Sequence, residues 1–377
     1  MKRILSISFI AAAVFFLSSN YLSGQSGSGK MEGTWKMKPG EKGLHIEFET
    51  TDKTGRSHNQ FSMTVDRSEL TGFTTGKNVS FSIKKPGGEV IMTGDVTGEE
   101  GDGTFIFTPN ESYIKSFADA GYKDLSLQVL LLFTLKNADI NYLNNLKKFG
   151  YTDVSEDNLV ALVALDVTAD YIRGIQDAGF KGIPVSKLIS FKALKIDPDY
   201  IARMKKLSGG DLSAEDITAF AAMKIDEDYA AEMYKSGYKL SGNSLIQFKA
   251  MGITPEYVKE MMSSGLKEIS ADELVQLKAQ DIDRDYLTEV KDLGFGDRMS
   301  VHVIVQVKIF KIDKAFIEEM KAAGYPDLSP DKLVEFRIFK IDRAFIEKAT
   351  KFIGSKPSPE QLIQLKVAQG NGSEHDN

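Results

Sequence analysis

The sequence predicts a mainly α-helical protein, an α-solenoid of two-helix repeats of about 29 residues, preceded by a small antiparallel β domain. The stretch from Ile309 to Glu318 recurs about 29 residues later, with one substitution, as Ile338 to Glu347. An aromatic residue within this stretch has further equivalents at nearly constant spacing back to residue 113. Before that point the sequence alternates between apolar and polar residues, as half-buried strands do.

The recurring aromatic residue is taken as position zero of each repeat. Its occurrences follow one another at intervals of about 29 residues: Tyr113, Tyr142, Tyr171, Tyr200, Tyr229, Tyr257, Tyr286, Phe316 and Phe345. Because a repeat array grows by stacking, the length of 377 residues does not require several domains here.

Residues 1–24 have the pattern of a secretory signal peptide. Lys2 and Arg3 precede an apolar run from Ile4 to Ser19, and cleavage is expected after Gly24. An uncleaved membrane anchor is the alternative, but the run of 16 residues is short against the roughly 20 that cross a bilayer. Residues 25–30 read as a flexible linker.

The composition limits the classes of partner. The net charge is −6, and removal of the signal peptide with its two basic residues makes it −8, which disfavours nucleic acid. The chain has no cysteine, which excludes disulfides, thiolate metal sites and a lipid-modified N-terminal cysteine. We therefore expect a soluble bacterial protein, periplasmic or secreted, that does not insert into the membrane after signal removal.

Residues 31–109 are predicted to form the antiparallel β domain. Runs such as Leu44 to Glu49 and Val79 to Ile83 alternate with period two, and Pro86-Gly87-Gly88 is typical of a turn. We expect roughly six short strands, as a small meander or half-barrel. Its core would be thin, so the domain is expected to pack against the first helices.

The second helix of each repeat, helix B, has predicted start and stop signals around the aromatic residue. Position −3 is Asp, Thr or Asn in all nine repeats, which are residues that cap helix N-termini. Position +8 is glycine in seven of them, which favours a left-handed stop. Helix B is thus predicted to span about ten residues.

The first helix, helix A, has serine at position −16 in most repeats. Positions −12 and −9 are always large and apolar, which predicts a helix covered on more than one side. Position −7 is mostly alanine, for which we expect close approach between helices. The predicted array occupies residues 110–368, from a lone helix B at Tyr113 to a lone helix A at Ser358 to Lys366. Residues 369–377 are predicted to be a disordered tail.

These features together resemble a known family segment. A strand that ends in Phe-x-Phe-x-Pro-Asn (Phe105 to Asn110) is followed by Ile-Asp-x-x-Tyr…Gly-Tyr helical repeats. This resembles the extracytoplasmic extensions of some bacterial membrane metallopeptidases of the beta-lactam-sensor type, over roughly residues 90–366. The resemblance implies a sensory or interaction segment. The peptidase part is missing, since the sequence has no His-Glu-x-x-His and no membrane bundle.

No pattern in the sequence predicts catalysis. The four histidines have no metal-ligand spacing, so we expect no metal and no cofactor. Three Ser-x-x-Lys matches, such as Ser329 to Lys332, fall at helix ends of the repeat, and Lys53-Thr54-Gly55 precedes them all instead of following. The sequence therefore predicts a protein that is not an enzyme.

One recurrent feature suggests binding. Position −8 is basic in six repeats, and stacking would arrange these side chains in a ladder: Lys192, Lys249, Lys278, Lys308, Arg337 and, at the array's end, Lys366. The ladder either favours the C-terminal dipole of helix A and pairs with cap aspartates, or receives an acidic or extended partner. Aromatic residues after the terminal glycines, such as Tyr122 and Tyr325, either pack back onto the helix or bind a partner.

The predicted function is an exported, non-enzymatic protein-interaction scaffold that binds a protein or peptide on one face of the solenoid. The basic ladder, Lys192, Lys249, Lys278, Lys308 and Arg337, is its candidate binding site. The alternative is an envelope ligand sensor whose β domain binds a small molecule, a glycan or a lipid. The identity of the partner and the oligomeric state stay open.

Overall fold

The computed structural model describes residues 29–51, 58–210, 212–236, 240–266, 268–296 and 299–371. The predicted signal peptide, residues 25–28 of the predicted linker and residues 372–377 of the predicted tail lie outside the described residues. The chain divides into two compact units, the first extending to Ala202 and the second starting at Arg203.

The first unit opens with an antiparallel sheet of seven strands in the order β3-β2-β1-β7-β6-β5-β4. About six strands were predicted; the additional one, β4, has only two residues and therefore no alternation to detect. The strands are β1 (Met31–Gly40), β2 (Gly43–Thr51), β3 (His58–Val65), β4 (Leu70–Thr71), β5 (Gly76–Lys85), β6 (Gly88–Thr97) and β7 (Glu100–Pro109).

Aromatic rings occupy the inner face of this sheet. The Trp35 ring meets Phe81 edge-on at 5.3 Å between centroids, and Phe48 meets Phe105 at 5.2 Å. The Trp35 indole also donates a hydrogen bond of 3.0 Å to the carbonyl of Thr104. Because all four rings are almost fully buried, they fill the interior with side chains.

The structure describes eighteen α-helices after the sheet. Even-numbered helices correspond to helix A and odd-numbered ones to helix B. They are α1 (Glu111–Asp119), α2 (Leu127–Leu135), α3 (Ile140–Lys148), α4 (Glu156–Ala164), α5 (Ala169–Asp177), α6 (Val185–Ala193), α7 (Pro198–Ser208), α8 (Ala214–Ala222), α9 (Glu227–Lys235), α10 (Gly242–Ala250), α11 (Pro255–Met262), α12 (Ala271–Ala279), α13 (Arg284–Lys291), α14 (Val301–Ile309), α15 (Lys314–Ala322), α16 (Pro330–Ile338), α17 (Arg343–Ile353) and α18 (Pro359–Asn371).

The predicted N-terminal caps are present in both kinds of helix. At position −3 every Asp, Thr or Asn side chain accepts a hydrogen bond from a backbone N–H of the first turn, as Asp226 does from Tyr229 at 2.8 Å. The serines at position −16 cap helix A in the same way, Ser270 with a complete capping box to Glu273. Pro184 takes this position before α6, which has no side-chain cap.

Helix A ends at a left-handed residue that was not predicted from the sequence. Position −5 has a positive φ in eight repeats, although only one of these residues is glycine. They are Asn137, Asp166, Lys195, Lys224, Gly252, Asp281, Lys311 and Lys340. Because Lys and Asp are common everywhere in the chain, this stop has no compositional signature comparable to the glycine that ends helix B.

Both helices of the repeat contribute to its core, and helix A supplies most of its large rings. The side chains of helix A at positions −12 and −9 are almost completely buried, as Leu245 and Phe248 show with 0% exposure. Successive A helices contact each other within each compact unit: α2, α4 and α6 in the first, and α8, α10, α12, α14, α16 and α18 in the second. The expectation that alanine at position −7 permits this packing is wrong for the second unit, where Ala222, Ala250 and Ala279 are exposed to solvent; Ala164 and Ala193 in the first unit are half-buried.

The last helix is longer than expected. α18 continues to Asn371, so three residues assigned to the disordered tail are helical. Val367, Ala368 and Gln369 contain no helix breaker, so the helix can extend past the predicted end at Lys366. Within the described ranges, no helix combines the length and the apolar character that a membrane span requires.

Candidate functional site

The recurring aromatic residues form the same contact in successive repeats. The tyrosine hydroxyl of one repeat donates a hydrogen bond to the backbone carbonyl four residues before the aromatic residue of the next. The bonds join Tyr113 to Ala138, Tyr142 to Val167 (3.0 Å), Tyr171 to Ile196 (2.8 Å), Tyr229 to Ile253 (2.8 Å) and Tyr257 to Ile282 (2.9 Å). We call this contact the aromatic junction, and in these five repeats it ties helix B to the following repeat.

The predicted basic ladder lies on the same rings. Each basic group at position −8 sits over the aromatic ring of the preceding repeat, within the range of a cation–π interaction. The distances to the ring centroid are 4.5 Å for Lys192 on Tyr171, 4.4 Å for Lys249 on Tyr229, 4.9 Å for Lys278 on Tyr257, 3.9 Å for Lys308 on Tyr286, 3.8 Å for Arg337 on Phe316 and 4.4 Å for Lys366 on Phe345.

These contacts give the ladder a packing role that neither interpretation of the sequence included. Pairing with a cap aspartate occurs at Arg337, whose guanidinium lies 3.9 Å from Asp313. The lysines of the ladder are half-buried against their rings. The periodicity of the sequence identifies the ladder residues. It does not identify the ring that each one contacts, because that depends on how the repeats pack.

The aromatic residues after the helix B glycines pack back onto the array. Tyr151, Phe180, Phe295 and Tyr325 are buried, and the hydroxyl of Tyr325 donates to the carbonyl of Pro357 at 2.7 Å. Tyr122 makes the equivalent bond to Val154, also at 2.7 Å. The four buried rings and the hydroxyls of Tyr122 and Tyr325 are thus engaged inside the protein; Tyr238 lies outside the described residues.

Tyr286 departs from the aromatic junction. Among the described residues its hydroxyl has no hydrogen-bond partner, and the equivalent acceptor, the carbonyl of Ile312, receives no donor. The interval from Tyr286 to Phe316 is one residue longer than that from Phe316 to Phe345, with the extra residue in the loop between Gly294 and Ser300. A cavity of about 590 Å³ lies at this point, and both Tyr286 and Ile312 line it.

The cavity has an apolar part and a balanced set of charges. Val290, Leu293 and Val307 supply the apolar surface. Three lysines and three carboxylates complete the lining: Lys308, Lys311, Lys314, Glu289, Asp292 and Asp313. Such a site combines apolar contact with polar groups that can orient a small ligand.

A second surface feature lies on the last three A helices. Ile309, Ile338 and Val367 occupy position −7 of successive repeats and are 49%, 50% and 42% exposed. We call these three residues the apolar stripe. The earlier repeats of the second unit have exposed alanine at this position, so the stripe is a local departure from the repeat pattern. The change from alanine to isoleucine or valine is visible in the sequence, but a prediction based on recurring residues does not detect it.

The described residues contain no cluster of three or more His, Asp or Glu side chains that could hold a metal ion. The chain matches no protein-family model and no curated protein. The resemblance to extensions of beta-lactam-sensor metallopeptidases therefore stays a prediction.

The recurring tyrosines make the stability of the protein fall at alkaline pH. Burial raises the pKa of Tyr229 to about 12, and burial together with the Glu289 carboxylate raises that of Tyr286 to about 12. Unfolded tyrosine releases its proton near pH 10. Between pH 10 and 12 the folded protein therefore binds more protons than the unfolded chain. The stabilisation from these tyrosines is complete below pH 10 and falls as pH rises.

Melting temperatures measured by circular dichroism from pH 8 to 11.5 should decline above pH 10. Phenolate absorbance that rises at pH 10 with unchanged melting would contradict this.

Proposed function

We propose that this chain is an exported, non-enzymatic binding scaffold, an α-solenoid whose last repeats bind an acidic, amphipathic segment of a partner protein. The apolar stripe is the observation that carries the proposal. A solenoid offers an extended surface built from equivalent positions of successive repeats, and recognition by such surfaces is their common use.

The stripe has the properties of a protein-binding surface. Its three aliphatic side chains lie on α14, α16 and α18, and these helices contact one another in sequence order. Exposed aliphatic residues scattered singly are normal, but a row of them on adjoining helices favours contact with an apolar partner surface. Each is preceded directly by a basic residue of the ladder.

Charge favours an acidic partner at this end of the chain. Residues 299–371 contain twelve Lys and Arg against nine Asp and Glu, a net charge of +3, whereas the whole chain carries −6. An acidic segment is therefore attracted to the last repeats and repelled by the rest of the molecule. An amphipathic helix satisfies both requirements, with apolar residues toward the stripe and carboxylates toward the lysines.

Peptide selection tests this proposal. A display library of random 16-residue peptides, selected against the protein, should yield acidic peptides with aliphatic residues at helical spacing. The triple variant Ile309→Ala, Ile338→Ala, Val367→Ala restores the residue type of the earlier repeats. It should bind the selected peptides at least about tenfold more weakly, because three apolar contacts are lost.

The matched control is the double variant Ile91→Ala, Ile106→Ala. These isoleucines are exposed to a similar degree but lie paired on the sheet. Their loss should leave binding unchanged. Selected peptides that are neutral or basic, or that bind the triple variant as well as the natural protein, would refute the proposal.

The alternative of a ligand-sensing β domain has less support. It requires a cavity in the sheet, whereas the rings of Trp35, Phe48, Phe81 and Phe105 occupy the inner face. We therefore place the binding function on the helical repeats. Export itself rests on the signal-peptide pattern of residues 1–24.

A further inference from the structure

We infer that the cavity beside Tyr286 is a separate binding site for a peptide amide, in which one amide group bridges the Tyr286 hydroxyl and the Ile312 carbonyl. This inference does not rest on the apolar stripe. It starts from the hydrogen bond of the aromatic junction, which five other tyrosines make and which is not formed at Tyr286.

The open junction leaves one donor and one acceptor on two residues that line the same cavity. In the neighbouring junction Tyr257 donates to Ile282 over 2.9 Å. At Tyr286 both residues line the cavity, and neither the hydroxyl nor the equivalent carbonyl has a hydrogen-bond partner among the described residues. A secondary amide has the complementary pair, because its C=O accepts from the hydroxyl while its N–H donates to the carbonyl.

The rest of the lining favours a peptide over an ion. Three lysines and three carboxylates balance, so the site has no net charge that would select a simple anion or cation. The apolar group of Val290, Leu293 and Val307 can receive an aliphatic side chain of the ligand. A volume of about 590 Å³ accommodates a short capped peptide.

The repeat that contains the cavity also departs from the usual length. The loop from the glycine of helix B to the serine cap of helix A has one more residue between Gly294 and Ser300 than between Gly265 and Ser270. The following helix is α14, which carries Val307 and Lys308 of the lining. The extra residue thus lies directly before the helix that forms one wall.

Saturation-transfer NMR with N-acetyl-leucine-N-methylamide as the probe tests the inference. The natural protein should saturate this probe, and an analogue methylated at both amide nitrogens, which has no N–H donor, should show a signal at least about fivefold lower. Tyr286→Phe should reduce the signal of the first probe to that of the second.

Thermal melting distinguishes a free hydroxyl from one with an internal partner. Tyr257→Phe removes an existing hydrogen bond and should lower the melting temperature by about 2–4 °C, whereas Tyr286→Phe should leave it within about 1 °C. Equal losses in both variants would show that the Tyr286 hydroxyl is used in folding, which overturns the inference.

A third variant tests the cavity itself. Deleting Asp297, a loop residue outside the described part, restores the usual repeat length and should abolish probe saturation while the far-ultraviolet spectrum stays unchanged. If both probes saturate equally, or if neither does, the cavity holds only water and the inference is wrong. Because none of these variants alters Ile309, Ile338 or Val367, failure here leaves the proposed function untouched.

Discussion

Replacing Phe248 with alanine should lower the free energy of unfolding by about 3–5 kcal/mol. Phe248 occupies position −9 of helix A and is 0% exposed. Its helix, α10, contacts both α8 and α12. Removal of the ring leaves a cavity among three helices, and each repeat is too short to fold without its neighbours.

Urea unfolding followed by circular dichroism measures this loss. Gln247→Ala in the same helix is the matched control, since its side chain is exposed and its removal should change stability by less than about 0.5 kcal/mol. A Phe248 variant that unfolds at the same urea concentration as the control would show that helix A does not form the core in solution.

Changing Lys249, Lys278 and Lys308 together to glutamine should destabilise the protein by about 1.5–3 kcal/mol. Each ammonium group lies 3.9–4.9 Å from the centroid of a tyrosine ring. Cation–π contacts contribute about 0.5–1 kcal/mol each at partly exposed sites, and glutamine has no charge to replace them. The loss is measured as a lower midpoint in urea.

The control for this triple variant must change the net charge equally. Lys224, Lys340 and Lys351 are exposed and stack on no ring among the described residues, so their joint change to glutamine serves this purpose. Equal destabilisation by both triple variants would assign the effect to net charge. Lost peptide binding with intact stability in the first variant would instead return the ladder to the role of a partner-binding surface.

Much of the helical part could be predicted because its signals are local. The cap residues at positions −3 and −16 act on amides within one turn, so their chemistry is visible in a single repeat. The buried positions −12 and −9 follow from the same helical periodicity. Phe248 and Leu245 illustrate this, since both were expected in the core and both are fully buried.

Contacts between repeats could not be predicted in the same way. Tyr257 reaches Ile282 and Lys278 reaches Tyr257 only because two repeats stack in one particular register. The sequence shows which residues recur, but not which atoms meet between one repeat and the next. The exposed alanines at position −7 were misassigned for the same reason.

The candidate sites were missed because they are exceptions to the repeat. Ile309, Ile338 and Val367 replace the alanine of earlier repeats, and the cavity at Tyr286 accompanies the longest interval between successive aromatic residues. A prediction from recurring residues does not detect positions at which one repeat differs from the others. In repeat proteins the positions that break the pattern are therefore the first to examine for binding.

The strand order also determines when the sheet can form. The first strand lies between β2 and β7, so its second partner is the last strand of the domain. The indole of Trp35 bonds to Thr104, 69 residues along the chain. Two local meanders, β1 to β3 and β4 to β7, can form early. The pairing of β1 with β7 that joins them brings together residues far apart in the sequence, so it forms slowly. During synthesis the sheet stays incomplete until β7 emerges, and at that moment the first helix follows only one residue behind.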